Sequence, residues 1–420
     1  MKNKTAVIIL AAGKSTRMKS GLPKVLHPIC GRMMISYVLE LVSSLKTSRT
    51  VAVLGYKHEE VRKFLNPGVK VVLQKRLLGT ADAVKCALSA LKGFKGTVLI
   101  LYGDTPLLKK ETIQKLLDFH TKNNLAATLL TGKLKKPDGY GRVVRDKFAS
   151  ISGIVEDKDA DDFDKSILEI NTGIICFDKV KLEQALKKVR PKNKKKEYYL
   201  TDTVNIIYKS GLLVDALNLA DISEAMGINS RDELATANSI MQERINKEWM
   251  LRGVSIVDPR STFIASGTKI GQDSTIYPFT VIERDVRIGK NCSVGPFVHL
   301  REGTRLADSV IAGNFLETVR TTIGTKTLVK HFSYLGDTRI GRSVNIGAGT
   351  VTANFDGKDK HRCQIKDNAL IGSDTVLVAP VTVGKSAITG AGSAVIKNVC
   401  DKNIVVGVPA RILKRKRKHG

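Results

Sequence analysis

From Ile264 an aliphatic residue returns at every sixth position, through Ile270, Ile276, Ile282, Ile288, Val294 and Leu300 to Leu306. Four residues after each stands a small or β-branched one: Thr268, Ser274, Thr280, Val286, Cys292, Val298, Thr304 and Val310. Glycine follows the aliphatic at Gly271, Gly289 and Gly295. A period of six is neither the 3.6 of a helix nor the 2 of an alternating strand. It predicts a parallel β-helix of hexapeptide repeats, a three-sided prism in which each short strand forms one flat side and each aliphatic points into a shared core. The pattern resumes at Ile323, Val329 and Leu335, at Ile340 and Ile346, and at Ile371, Leu377 and Val383. An ordinary β-sandwich would instead alternate at period two, with turn signals every 8–12 residues.

The array leaves more than half of the 420 residues unaccounted for, so a second domain is expected. The segment Met1 to Ala12 has two lysines before an apolar run, as a signal peptide does, but the run is short and leads into Gly13-Lys14-Ser15-Thr16-Arg17, which suits a buried strand and loop. Nothing in the sequence reaches the ~20 apolar residues of a membrane helix. The six cysteines show no C-x-x-C spacing, which argues against a zinc site and a disulfide framework and fits the cytoplasm. A formal charge of +29 raises nucleic-acid binding. The lysines are dispersed, however, with local runs only at Lys192 to Lys196 and Lys414 to Lys418 and no interleaved aromatics to stack bases. The charge reads as solvated surface with a preference for anionic small molecules, and no nucleic-acid or membrane partner is expected.

The first half alternates strand-like and helix-like segments: Ala6 to Leu10, Met34 to Leu45, Val51 to Leu54, Ala81 to Leu91 and Thr97 to Leu101. This is βαβ grammar, and it predicts a Rossmann-like α/β domain, a sheet flanked by helices, over residues 1–229. Ligands of such sheets bind beyond the carboxyl ends of the strands, where Ala11 to Arg17 and Tyr102 to Pro106 would lie side by side. Arg231 to Arg252 reads as one helix capped by Asn229 or Ser230, a linker over 230–252. The β-helix then occupies 253–410, and a basic tail, 411–420, is expected to fray.

Leu10-Ala11-Ala12-Gly13 directly follows a strand, and its small residues would let backbone N–H groups approach an anion. It is not a Walker A loop, because Ile8 stands where the first glycine belongs. Leu22-Pro23-Lys24-Val25-Leu26-His27 comes next, followed by Gln74 with Gly79-Thr80, Tyr102-Gly103-Asp104, Gly139-Tyr140-Gly141-Arg142, Glu156, Asn171-Thr172-Gly173 and Gly227-Ile228-Asn229. In this order the segments resemble the nucleotidyltransferase signature of sugar-nucleotide pyrophosphorylases. They look most like the uridyltransferase half of the bifunctional N-acetylglucosamine-1-phosphate uridyltransferases/glucosamine-1-phosphate acetyltransferases, and the resemblance covers nearly the whole chain.

That resemblance implies that the phosphate oxygen of a sugar 1-phosphate attacks the α-phosphorus of UTP and expels pyrophosphate. Arg17 and Lys24 are the expected catalytic cations, able to stabilise the crowded transition state. Asp104 and Asn229 offer hard oxygen ligands suited to Mg²⁺. Leu10, Ala11, Ala12 and Gly13 would cradle the nucleotide, Gln74 and Gly79 would read uracil, and Thr80, Tyr102 and Gly103 would lie close by. Gly141, Glu156, Asn171 and Asn229 would hold the N-acetylglucosamine moiety. One departure stands out: the family commonly continues Gly-Thr with Gly-His, where this chain has Ala81-Asp82.

The hexapeptide register slips twice, 17 residues separating Leu306 from Ile323 and 25 separating Ile346 from Ile371. Such interruptions map to loops and often to binding faces. Between them lies His331, in a setting (His331-Phe332-Ser333-Tyr334-Leu335-Gly336-Asp337, then Asn345-Ile346-Gly347 and Asn354-Phe355-Asp356-Gly357) that resembles the acetyltransferase half of the same family. Acetyl transfer from acetyl-CoA needs a neutral amine, and His331 is the expected general base. By resemblance, Arg301, Tyr334, Asn345 and Lys360 would meet the sugar phosphate, Glu317 would orient the amine or the histidine, and Asn354, Phe355, Ser373 and Ala391 would meet coenzyme A. The family's β-helices are left-handed and form homotrimers with acetyl-CoA bound between subunits. Val319 stands where the family has a lysine, leaving Arg320 or a neighbouring subunit's lysine to supply the charge; Phe355 replaces a usual tyrosine.

Two readings stay open on the residues. The first is a bifunctional enzyme making UDP-N-acetylglucosamine from glucosamine 1-phosphate, acetyl-CoA and UTP. The second is a pyrophosphorylase for another sugar or nucleotide, whose β-helix serves assembly or acetylates a different acceptor. A non-catalytic scaffold would be expected to have lost site chemistry, yet Arg17, Lys24, Asp104 and His331 are all present.

Overall fold

The structure, a computed structural model, describes residues 4–14 and 16–413. Ser15 of the small-residue loop and the basic run Lys414 to Lys418 lie outside the described residues. The chain divides into two compact units: residues up to Ile29 with Met33–Ala237, and Cys30–Arg32 with residues from Asn238 on.

The first unit is built on a mixed sheet. Its strands are β1 (Thr5–Ala11), β2 (Arg49–Leu54), β3 (Val69–Leu73), β4 (Thr97–Tyr102), β5 (Ala127–Lys133), β6 (Gly141–Arg145), β7 (Ile151–Val155), β8 (Glu169–Asp178) and β9 (Val214–Asn218). The main path runs β9-β5-β8-β4-β1-β2-β3, with β6 paired to β8 and β7 to β6. From β4 to β3 the strands are parallel; β8 is antiparallel to both β4 and β5. Strand β1 is buried on both faces, so it reads as the continuous apolar run expected of a central parallel strand. Ala6, Ile8 and Leu10 pack with helix Thr80–Leu88, while Val7 and Ile9 pack with helix Met34–Ser44. The carboxyl ends of β1 and β4 are in register, Leu10 opposite Tyr102, and the loops that follow them open on the same side.

Helix Arg231–Leu251 begins at a reciprocal cap. The Glu233 backbone N–H donates to Ser230 Oγ at 3.2 Å and the Ser230 N–H donates to Glu233 Oε2 at 2.9 Å. Of the two expected caps, Ser230 is the one used.

From Ser255 the chain is a left-handed parallel β-helix whose sheets hold ten, eight and seven strands. Successive coils stack eighteen residues apart, Ile264 on Ile282 on Leu300 on Thr318. The repeating aliphatics are buried, each stabilising the prism by roughly 1.5–3 kcal/mol. The small residues at the fourth position are buried too, and Ser274 Oγ donates to the Gly289 carbonyl at 2.8 Å in the coil above. The repeat continues beyond Leu306 through Ala312 and Thr318, both fully buried. The first slip is therefore a shortened corner between Thr318 and Ile323, and the second is an extra loop between Thr352 and Ile365. At the carboxyl end, Arg411–Ile412 pairs antiparallel with Ile404–Val406, so the expected frayed tail does not begin at Arg411.

Candidate active sites

In the first unit, a cavity of about 550 Å³ opens at the carboxyl ends of β1 and β4. It is lined by Leu10, Ala11, Ala12 and Gly13 of the small-residue loop, by Gln74, Gly79 and Thr80, and by Arg17, Lys24, Tyr102, Asp104 and Asn229. Asp104 follows β4, and its carbonyl accepts the Ile228 N–H at 3.0 Å, which carries Asn229 to its side. Lys24 reaches the pair from a short turn after Pro23: its Nζ is bonded to Asp104 Oδ2 and donates to Asn229 Oδ1 at 2.9 Å. Two oxygens from distant segments thus converge on one cation. Gly103 does not border the cavity; a Cβ there would come within 3.1 Å of the Ala11 Cβ, so its bareness lets the β1 and β4 loops close together.

An adjoining cavity of about 740 Å³ shares Arg17, Thr80 and Tyr102 with the first and adds Gly141, Glu156 and Asn171. Glu156 accepts from the Thr201 hydroxyl at 2.9 Å, and burial pushes its carboxyl upward against that bond. Asp202 is raised to about 6 by burial, then by the charges of Glu156 and Asp159. Sequence reasoning missed Tyr56, Lys195, Glu197 and Tyr199 among the lining residues. Lys195 borders both cavities, although its lysine run reads as plain solvated surface; the only hint was the tyrosine pair that follows the run.

On the β-helix, the expected residues fall on two edges of one face. That face stacks His299, Glu317 and Tyr334 in register. Arg301, at the end of one of its strands, donates to Glu317 Oε1 at 2.9 Å. At the downstream corner, Arg320 is locked on Asp337 through two bonds of 2.6 and 2.7 Å, and Asn354 Nδ2 donates to the same carboxylate at 2.5 Å. The Arg320 guanidinium accordingly holds the Asp337 carboxyl below its ordinary range. Val319 is buried, 5% exposed, so the position expected to carry a cation has little access to solvent. The extra loop holds exposed Phe355 and Lys360, joined as a β-bridge, with Asp356 accepting the backbone N–H groups of Lys358 and Asp359. His331, Ser373 and Ala391 are exposed at the upstream corner of the same face, and exposed Asn345 lies on the preceding face.

Among the described residues no group of three or more His, Cys, Asp or Glu gathers as a metal cage, and no helix is long and apolar enough to cross a membrane. The Asp104–Asn229 pair already coordinates a cation in the form of Lys24, and two protein oxygens completed by substrate phosphates and water is the donor set Mg²⁺ favours.

A cleft of about 550 Å³ at the carboxyl ends of parallel strands, joined in one chain to a hexapeptide prism, defines a transferase with a nucleotidyltransferase half and an acyltransferase-type half. Residues 7–166 match the MobA-like NTP transferase domain, residues 267–302 the bacterial transferase hexapeptide (six repeats), and residues 364–397 the hexapeptide repeat of succinyl-transferase. The bifunctional protein GlmU of Shouchella clausii (strain KSM-K16) is 42% identical over 425 residues, covering 93% of this chain and 94% of its own length. GlmU of Pelobacter propionicus (strain DSM 2379 / NBRC 103807 / OttBd1) is 44% identical over 430 residues, covering 94% of each. GlmU of Geobacillus thermodenitrificans (strain NG80-2) is 40% identical over 437 residues, covering 96% of this chain and 95% of its own length. The chain belongs to the family of bifunctional GlmU proteins.

Proposed function

We propose that the chain is a bifunctional enzyme of UDP-N-acetylglucosamine synthesis: it acetylates glucosamine 1-phosphate with acetyl-CoA, then transfers uridylyl from UTP to the N-acetylglucosamine 1-phosphate so formed. The observation that carries this reading is the meeting of Lys24, Asp104 and Asn229 beside the small-residue loop, in a chain that matches its relatives over nearly their whole length.

In the nucleotidyl half, the loop Leu10 to Gly13 receives the triphosphate. The sugar phosphate lies in the adjoining cavity between Gly141, Glu156 and Asn171. Its oxygen attacks the α-phosphorus, the bond to pyrophosphate breaks, and Arg17 and Lys24 balance the negative charge that builds on both sides. Asp104 and Asn229 would hold a Mg²⁺, which when bound neutralises phosphate oxygens.

In the β-helix, the amine of glucosamine 1-phosphate attacks the thioester carbonyl, His331 takes the amine proton, the carbon–sulfur bond breaks, and that proton passes to the sulfur so that coenzyme A leaves as the thiol. Arg301, Arg320, Tyr334, Asn345 and Lys360 face the sugar phosphate, with Glu317 orienting the amine. Asn354, Phe355, Ser373 and Ala391 meet coenzyme A. Apart from Asn345 on the preceding face and Glu317 and Tyr334 on the strands between, these residues divide between two corners of one face, which supports an assembly of prisms, a homotrimer, in which one subunit's upstream corner meets a neighbour's downstream corner. The test is pyrophosphate release from UTP with N-acetylglucosamine 1-phosphate, set against glucose 1-phosphate and against dTTP, ATP and GTP. A clear preference for another pair would turn the reading toward a different sugar or nucleotide.

A further inference from the structure

Gln74 follows edge strand β3, and its backbone N–H donates to the Leu54 carbonyl at 2.8 Å. Its side chain is buried, 6% exposed, yet borders the nucleotide cavity. The amide nitrogen Nε2 donates twice, to the Gly79 carbonyl at 3.0 Å and to Asp82 Oδ2 at 2.8 Å. A carbonyl and a carboxylate can only accept, so the amide cannot turn over without opposing oxygen to oxygen at both contacts. Oε1 meets no donor among the described residues and is the atom left for a ligand.

The frame around this amide is fixed. Gly79 has φ +116, and a Cβ there would stand 2.5 Å from the Tyr198 carbonyl oxygen. The Ala81 N–H donates to that same oxygen at 2.9 Å, and the Tyr198 N–H donates to the Leu78 carbonyl at 2.8 Å. Asp82 itself lies in the first turn of helix Thr80–Leu88 and does not border the cavity.

Resting on the assignment of this cavity to UTP, we propose that Asp82 is a positioning residue for base specificity, holding Gln74 as a pure hydrogen-bond acceptor toward the base. Uracil presents an N–H at N3 and satisfies such an acceptor. Cytosine presents a lone pair at N3 and meets it oxygen to nitrogen, without a proton between them.

The test compares kcat/KM for UTP and CTP, each with N-acetylglucosamine 1-phosphate, in the wild type, Asp82→Asn, Asp82→Ala and Asp82→Glu. Asparagine can donate or accept and alanine does neither, so in both variants the amide loses one of its two locks and only the Gly79 carbonyl still opposes its turning. The UTP-over-CTP ratio should fall by at least about tenfold in both, chiefly through KM for UTP, while Asp82→Glu keeps the ratio within about threefold of wild type. If Asp82→Asn and Asp82→Ala melt like the wild type and keep its ratio, Asp82 is merely a charge at a helix start and the inference is wrong. Should both variants fail to fold, wild-type turnover of 3-methyl-UTP decides: the locked acceptor requires it to be as poor a substrate as CTP, and efficient use overturns the proposal. A wild type that prefers CTP or a purine nucleotide would instead overturn the UTP assignment itself.

Discussion

Lys24 and Asn229, 205 positions apart in the chain, meet at 2.9 Å, with Asp104 bonded to the same ammonium. The cation expected to neutralise phosphates and the oxygens expected to hold a metal form one cluster. Asp104→Ala removes the carboxylate bonded to Lys24, leaving that ammonium without this ion pair. Pyrophosphate release in the presence of Mg²⁺ should drop by at least about 10²-fold, in line with the loss of a principal transition-state electrostatic contact. Acetyl transfer by the same protein should be unchanged; near wild-type pyrophosphate release would remove Asp104 from the mechanism.

The opposite pattern is expected of His331→Ala. A general base contributes ~10²–10⁴-fold, so thiol release from acetyl-CoA with glucosamine 1-phosphate should fall by about that factor while uridylyl transfer continues. Undiminished thiol release would place the base elsewhere.

Val319 and Arg320 show where sequence reasoning met its limit. A lysine at 319 looks like a restored cation on paper, but the side chain it replaces is buried, and the neighbouring guanidinium is already held by Asp337. Val319→Lys should therefore destabilise the β-helix by roughly 2–4 kcal/mol, the scale of burying an unpaired polar or charged group, and should not lower KM for the amino sugar. Thermal melting with steady-state kinetics checks both; a tighter KM at unchanged melting temperature would show that the side chain points outward. Arg320→Ala should raise KM for the sugar phosphate and release Asp337, whose carboxyl then returns toward its ordinary range, readable by NMR titration.

Burial makes one histidine a marker of acid stability in the first unit. His120, 4% exposed with Nδ1 at 2.7 Å from Thr128 Oγ1, is lowered to about 4 by desolvation, against a small opposing pull from Asp178. The unfolded chain binds this proton near 6.5 and the folded one only near 4, so stability is fully present above about 6.5 and is lost as pH falls toward 4. The loss from this group is roughly 2–3 kcal/mol. Denaturant titrations from pH 7 to 4 should show the slope, and His120→Gln should flatten it; an equal slope in the variant would assign the acid sensitivity to other groups.

The β-helix was the most legible part of the chain, because Ile, Val and Leu at strict spacing announce inward positions. The repeat seemed to break directly after Leu306 because Ala312 and Thr318 take the same inward places with side chains of weak hydrophobic signal, whereas the true shortening comes only between Thr318 and Ile323. The cleft was legible through its order of motifs around β1 and β4. Lys195 was not, since the tyrosine pair after its run does not tell a lysine lining a cavity from its neighbours in a solvated run. Nor does the sequence show that Asp82 touches Gln74, a contact made by the turn at Gly79 rather than by spacing.

The central claim, two transfers in sequence on one chain, is tested by incubating the purified protein with glucosamine 1-phosphate, acetyl-CoA and UTP in Mg²⁺ while thiol and pyrophosphate are measured separately. Both should appear, pyrophosphate with a lag, and omission of acetyl-CoA should abolish pyrophosphate release until preformed N-acetylglucosamine 1-phosphate is supplied. Pyrophosphate release from the preformed acetylated sugar without any thiol release from glucosamine 1-phosphate, at saturating concentrations, would contradict the account and leave the β-helix with another acceptor or with assembly alone.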